Sequence, residues 1–140
     1  MMDPPKLQQG TPEWFAMVGR RMSEAALQAG LPTRLDVSLV ERYVDGAEIA
    51  DGLVQGLRFD ITAGRSSFRI GAERDETADV VVEITVAAAR RLNALRLADP
   101  AFAEARQLYL DTGEMRVTGD VSRLGGWLDA VHDPIVDETS

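Results

Sequence analysis

Leu57-Arg58-Phe59-Asp60-Ile61-Thr62-Ala63-Gly64-Arg65-Ser66-Ser67-Phe68-Arg69-Ile70 alternates apolar and polar side chains, turns at Ala63-Gly64-Arg65-Ser66, and alternates again. Side chains of a strand point to opposite faces in turn, so this stretch reads as an antiparallel hairpin with one apolar face. Upstream, Leu35, Val37 and Leu39 alternate with Asp36 and Ser38, and the pattern blurs at Val40 and Glu41. Downstream, Val80, Val82, Ile84 and Val86 alternate with Glu83 and Thr85, with Val81 breaking the polar side. Four strands in a row with short polar turns predict an antiparallel meander packed on one face.

Helical spacing flanks this block. Thr11 is placed to cap a helix, Pro12 suits its first position, and Gly30 followed by Pro32 stops it. Phe15, Val18, Met22, Ala25, Ala26 and Ala29 form its apolar stripe with Trp14 beside it, and the helix is expected to complete the core. Beyond Thr85, Ala88, Leu92 and Leu95 mark a short helix. Asp99-Pro100 opens another that carries Phe102, Ala105, Leu108 and Tyr109 and ends at Gly113. A brief strand around Met115 and Val117 leads to Asp120, which caps a last helix bearing Val121, Leu124, Trp127, Leu128 and Val131 up to Pro134. The expected fold is α+β, an antiparallel-rich twisted sheet of about five strands with helices on one face. Residues 1–10 read as a flexible tail, 11–134 as one domain and 135–140 as an acidic tail.

With 140 residues, 45 % of them apolar, one domain with a real core is expected. The formal charge of −8 argues against nucleic acid and against anionic lipid surfaces, both of which need clustered cations. No apolar run is long enough to span a bilayer, and the first residues lack the pattern of a signal peptide, so a cytoplasmic protein without integral membrane association is expected. Lysine occurs only at Lys6, and the dominance of arginine reads as the mark of a GC-rich, bacterial genome.

The absence of cysteine and the single histidine exclude disulfides, thiol catalysis and multi-histidine metal sites. No nucleophile elbow, phosphate loop or dinucleotide fingerprint occurs, so neither a catalytic residue, a metal nor a cofactor is assigned. Asp60 and Glu83 belong to the polar strand face, Asp99 and Asp120 to helix starts, and Asp75, Glu76 and Asp79 to a solvated turn without calcium-loop spacing. His132, expected in a last helical turn, suits the negative helix end better than general-base chemistry. Gly125-Gly126 inside the last helix costs about 2 kcal/mol relative to alanines, which close packing or a bend beside a cavity would explain.

Four segments resemble the sterol carrier protein (type 2) family: Gly56-Leu57-Arg58-Phe59-Asp60-Ile61; Ala78-Asp79 opening a strand that ends at Thr85 before a helix with Leu92 and Leu95; Asp99-Pro100-Ala101-Phe102; and Gly113-Glu114-Met115-Arg116-Val117-Thr118-Gly119-Asp120. The likeness covers residues 35–132. It departs from the family between Phe102 and Gly113, which is long, and at Leu97, where glycine is common. The resemblance implies a non-catalytic domain with an apolar tunnel for a fatty-acyl, sterol-like or isoprenoid lipid. That tunnel would be walled by Leu92, Leu95, Phe102, Leu108, Leu124, Trp127, Leu128 and Val131. The alternative is the same fold with a closed core, serving a partner enzyme or a homodimer. A pocket of about 300 Å³ left unfilled would cost on the order of 7 kcal/mol, so an open tunnel calls for an occupant.

Overall fold

The computed structural model describes residues 5–140. Helix α1, Pro12–Ala29, begins where Thr11 Oγ1 accepts a hydrogen bond from the Trp14 N–H and ends at Gly30 in the left-handed conformation. It buries Trp14, Phe15, Met17, Val18, Met22 and Ala26. Gly19 faces the Phe68 ring so closely that a side chain there would overlap it, which lets α1 lie directly on the sheet.

Six strands form that sheet: β1 (Val37–Tyr43), β2 (Glu48–Ala50), β3 (Leu53–Thr62), β4 (Arg65–Ala72), β5 (Val80–Ile84) and β6 (Met115–Thr118). Strands β3 and β4 are the expected hairpin, in the register Leu57↔Ile70 and Phe59↔Phe68. Ala63 and Gly64 both take positive φ, as the tightest hairpin turns require, and Asp36 Oδ1 accepts a 2.7 Å hydrogen bond from the Ala63 N–H. Strand β1 lies antiparallel along the other edge of β3.

The consecutive meander, however, is broken after β4. Strand β5 pairs parallel with β1, from Leu39↔Val80 to Tyr43↔Ile84, and β6 closes the far edge antiparallel to β5. The order is therefore β4-β3-β1-β5-β6, with β2 pairing the start of β3 on the β1 side. Parallel neighbours need a crossover connection. Here residues 73–79 cross the sheet face opposite the helices, held by arginines from three strands. Arg42 donates to the Glu76 carbonyl at 2.6 Å; Arg58 donates to the Glu76 carboxylate at 2.9 Å and to the Thr77 carbonyl at 3.1 Å; Arg69 pairs with the same carboxylate. Val40 beneath is fully buried.

Helices α2 (Val86–Leu92) and α3 (Pro100–Thr112), capped by Thr85 and Asp99, cover the other face together with α1. The single helix expected after Asp120 is instead two 3₁₀ turns, Val121–Leu124 and Gly126–Val131, followed by α4, His132–Asp137. Gly125 breaks it, at φ 111° and ψ 166°, a conformation open essentially to glycine alone. Gly126 has no neighbour within 4 Å of a Cβ position, so a bend, not tight packing, accounts for the pair. Pro134 falls inside α4, in its first turn, where its missing N–H leaves no bond unmade.

Residues at the two ends meet. Leu7 bridges Thr139 in parallel, its N–H bonds the Glu138 carbonyl at 2.8 Å, and Trp14 Nε1 donates to Thr139 Oγ1 at 2.8 Å. No helix among the described residues is long and apolar enough to cross a membrane.

Candidate functional site

Alternation along β1 turns Val37, Leu39, Glu41 and Tyr43 toward the helices and Ser38, Val40 and Arg42 away from them. Between the sheet and the helices lies a cavity of about 420 Å³. Its floor is Leu39 and Glu41 of β1, Leu57 of β3, and Val82 and Ile84 of β5, with Met115 and Val117 of β6 at the side. Its roof comes from α1 through Trp14, Phe15, Val18 and Met22, from α2 through Leu92 and from α3 through Phe102. Leu128, Val131 and Ile135 complete the roof beyond the bend at Gly125.

Four of the eight residues expected to form the wall meet here: Leu92, Phe102, Leu128 and Val131. Leu124 is fully buried and lies in the core. Trp127 packs against Phe59 with the rings tilted and their centroids 5.7 Å apart, and donates to the Leu124 carbonyl at 2.7 Å. Leu95 packs against the core beside the cavity, and Leu108 is 55 % exposed on the outer side of α3. Helix α1, expected to complete the core, does so and also roofs the cavity.

Glu41 was not singled out by sequence, although its parity with Leu39 was visible. Its strand neighbours in register are Leu57 and Val82, both apolar. Among the described residues no hydrogen bond or ion pair reaches its carboxylate, and the half-buried side chain lines the cavity. Burial alone raises its pKa from 4.5 to about 6. Beside it, burial and then the Glu41 charge push the Tyr43 hydroxyl well above its ordinary range, opposed by a hydrogen bond from Gln9.

Other polar groups stand around the lining: Asn93, Arg106, Asp129 and His132. His132 opens α4 and does not sit in a last turn. Its Nε2 lies 2.7 Å from the Leu95 carbonyl, an acceptor, so the proton belongs on Nε2, and the ring packs 4.5 Å from that of Phe102. No hydrogen bond among the described residues joins it to a carboxylate. The lining holds no serine, threonine or cysteine.

The acidic turn is taken up structurally. Burial works against the Glu76 carboxylate, but hydrogen bonds from Arg69, the Glu73 N–H and Arg58 hold it below its ordinary range. Asp79 accepts from the Ser38 N–H at 3.0 Å and from Ser38 Oγ at 3.2 Å, which lowers its pKa as well. Asp60 pairs with Arg58 at 3.0 Å and Glu83 with Arg42 at 3.3 Å. No three such acids or histidines among the described residues gather as a metal site.

A solved structure of sterol carrier protein 2 is similar to this chain. That structure matches 95 % of this chain and 100 % of its own, with a TM-score of 0.55 and 15 % identity. The fold is that of sterol carrier protein 2. Similarity extends to sterol carrier protein domain 2 of Helicoverpa armigera, with 13 % identity, a TM-score of 0.49 and 96 % of each chain covered. A sec-alkylsulfatase from Pseudomonas sp. matches at 21 % identity and a TM-score of 0.40 over 74 % of this chain, which spans only 14 % of that enzyme. No family model and no curated protein matches the sequence. The likeness to the sterol carrier fold read from residues 35–132 thus holds for the architecture.

Proposed function

We propose that this domain binds an apolar small molecule, of the fatty-acyl, sterol-like or isoprenoid kind, in the cavity between sheet and helices, without catalysing its conversion. The cavity itself carries the reading: about 420 Å³, of the size that takes small ligands, and lined mainly by Leu, Val, Ile, Met, Phe and Trp side chains. Unfilled, that volume would cost on the order of 10 kcal/mol, comparable with the stability of a whole domain. Water gains little there, because it needs two or more polar partners and most of the wall offers none. An apolar guest gains about 25 cal/mol for each Å² it withdraws from water. The sterol carrier fold supports the same reading.

Native mass spectrometry of freshly purified protein, with organic extraction of the bound material, tests it. A defined apolar adduct near one per chain is the expected result. Trp14 lines the cavity, so its emission should shift on titration with an alkyl-chain analogue, and Trp14→Phe should remove the response. No adduct together with no saturable response to alkyl ligands would refute the proposal. A stable complex or dimer without ligand would favour an accessory subunit instead.

A further inference from the structure

Nothing in the packing explains why the cavity floor carries a carboxylate. A leucine or valine at position 41 would continue the apolar face that Leu39, Leu57 and Val82 make around it. Among the described residues, no element packed over Glu41 supplies a hydrogen-bond or ion-pair partner. Helix α1 brings only apolar side chains to the cavity, and β6 brings Met115 and Val117. On α2, Arg90 is exposed and, among the described residues, makes no hydrogen bond or ion pair with Glu41. On α3, Arg106 is exposed, with its guanidinium 5.9 Å from the Phe102 ring. Asp129, beyond the bend, is exposed and of the same sign. His132 on α4 commits Nε2 to the Leu95 carbonyl, and on β1 itself the Tyr43 hydroxyl engages Gln9.

A carboxylate so placed has two ways to lower its energy: it takes up a proton, or a bound molecule brings it a counter-charge or donor. An ammonium head brings a charge and up to three N–H donors, and a hydroxyl brings one donor. A ligand carboxylate brings a second negative charge and no donor. The formal charge of −8 on the whole chain favours the approach of cations in the same sense.

We infer that Glu41 makes the cavity selective for the head of its ligand, preferring a long-chain amine to the alcohol of equal length and the alcohol to the carboxylate. This rests on the apolar-ligand reading above and names the chemical class that reading leaves open. Protonation of Glu41 at lower pH should weaken the preference for the amine and admit the acid.

The test compares dodecylamine, dodecanol and dodecanoate, each below its micelle-forming concentration, by calorimetry and Trp14 emission on the full chain. In wild type at about pH 7.5 the amine should bind at least about tenfold tighter than dodecanoate, the range of one charged hydrogen bond. Glu41→Gln should bring the two within about threefold, and Glu41→Leu, which restores an apolar floor, should do the same. Circular dichroism on both variants guards against a folding defect. Equal affinities in wild type, or the same ranking in both variants, would overturn the inference and leave apolar binding standing. Binding of none of the three would overturn the apolar-ligand reading and this inference with it.

Discussion

Strand β1 carries two charged neighbours, Glu41 and Arg42, on opposite faces of one sheet, and their surroundings could hardly differ more. Arg42 is buried beside Glu83 and donates to the Glu76 carbonyl, inside a lattice in which Arg58, Arg69 and Asp60 are also paired. Glu41 meets Leu57 and Val82 across the strands and open cavity above. Charges on the first face have their partners within the chain and hold the crossover in place. The charge on the second face has no hydrogen bond or ion pair among the described residues, which is the observation behind the proposed preference for a ligand head. A completed ion-pair network and a half-buried, solitary carboxylate both take charge out of water, but only the second is a candidate for ligand chemistry.

Removing an apolar anchor from the helix-facing side should cost most. Phe59 is fully buried under Trp127, and Phe59→Ala should lower stability by about 4 kcal/mol in urea unfolding. A loss under about 1 kcal/mol would show that the roof adapts around the cavity and that the apolar layer is less fixed than the charged one.

Next, Glu76→Gln strips the charge from the crossover and leaves Arg58 and Arg69 short of a partner, a loss of about 2 kcal/mol at neutral pH. Because folding lowers the Glu76 pKa, its contribution is present above 4.5, the ordinary glutamate value, and fades as pH falls through the lower folded value. Wild type and variant should therefore converge in acid. Equal stability at neutral pH would mean that the arginines, not Glu76, fix residues 73–79.

Glu41→Gln should act with the opposite sign. Folding raises the Glu41 pKa to about 6, so its favourable contribution is full below 4.5 and is lost as pH rises through about 6. At about pH 7.5 the variant should be more stable than wild type by about 2 kcal/mol, from 4.5 to about 6 at about 1.4 kcal/mol per pH unit, and no different near pH 4. Thermal unfolding at the two pH values reads this directly, and a destabilised variant at both would contradict the solitary-carboxylate picture.

The smallest effect belongs to the roof. Gly126 has open space around its Cβ position, so Gly126→Ala should change the unfolding midpoint by the equivalent of about 0.5 kcal/mol or less. A larger loss would place a contact at the bend that neither face of the sheet supplies.

Much of this architecture is written locally. Thr11, Asp99 and Asp120 each act as a cap, Gly30 and Gly113 each stop a helix, and the Leu57–Ile70 hairpin has the register its alternation implies. The position of β5 is not local. Alternation at Val80, Val82 and Ile84 says which face is apolar but not which strand lies alongside, and that choice depends on arginines far away in the chain. Leu108 misled for a related reason, since a helix resting on the rim of a sheet buries a narrower stripe than its apolar residues suggest. Phe102 and Tyr109 pack inward on α3, while Leu108 and Leu110 stay exposed. Glu41 was legible only as a blurred pattern. A charged residue in register with apolar ones could mark a cavity or merely a strand end, and only the helices overhead distinguish the two.

The parallel pairing of β1 with β5 also has a consequence in time. Its anchor joins Ser38 to Asp79, 41 positions apart, whereas the β3–β4 hairpin closes through the two-residue turn Ala63-Gly64. Closing a long loop costs more chain entropy than closing a tight turn, so native pairing of the central strands should lag behind the hairpin during refolding. Mutations in the hairpin should then slow folding, and mutations in β5 should mainly hasten unfolding. The β1–β5 pair, expected to form after the hairpin, carries Leu39, Glu41, Val82 and Ile84 of the cavity floor.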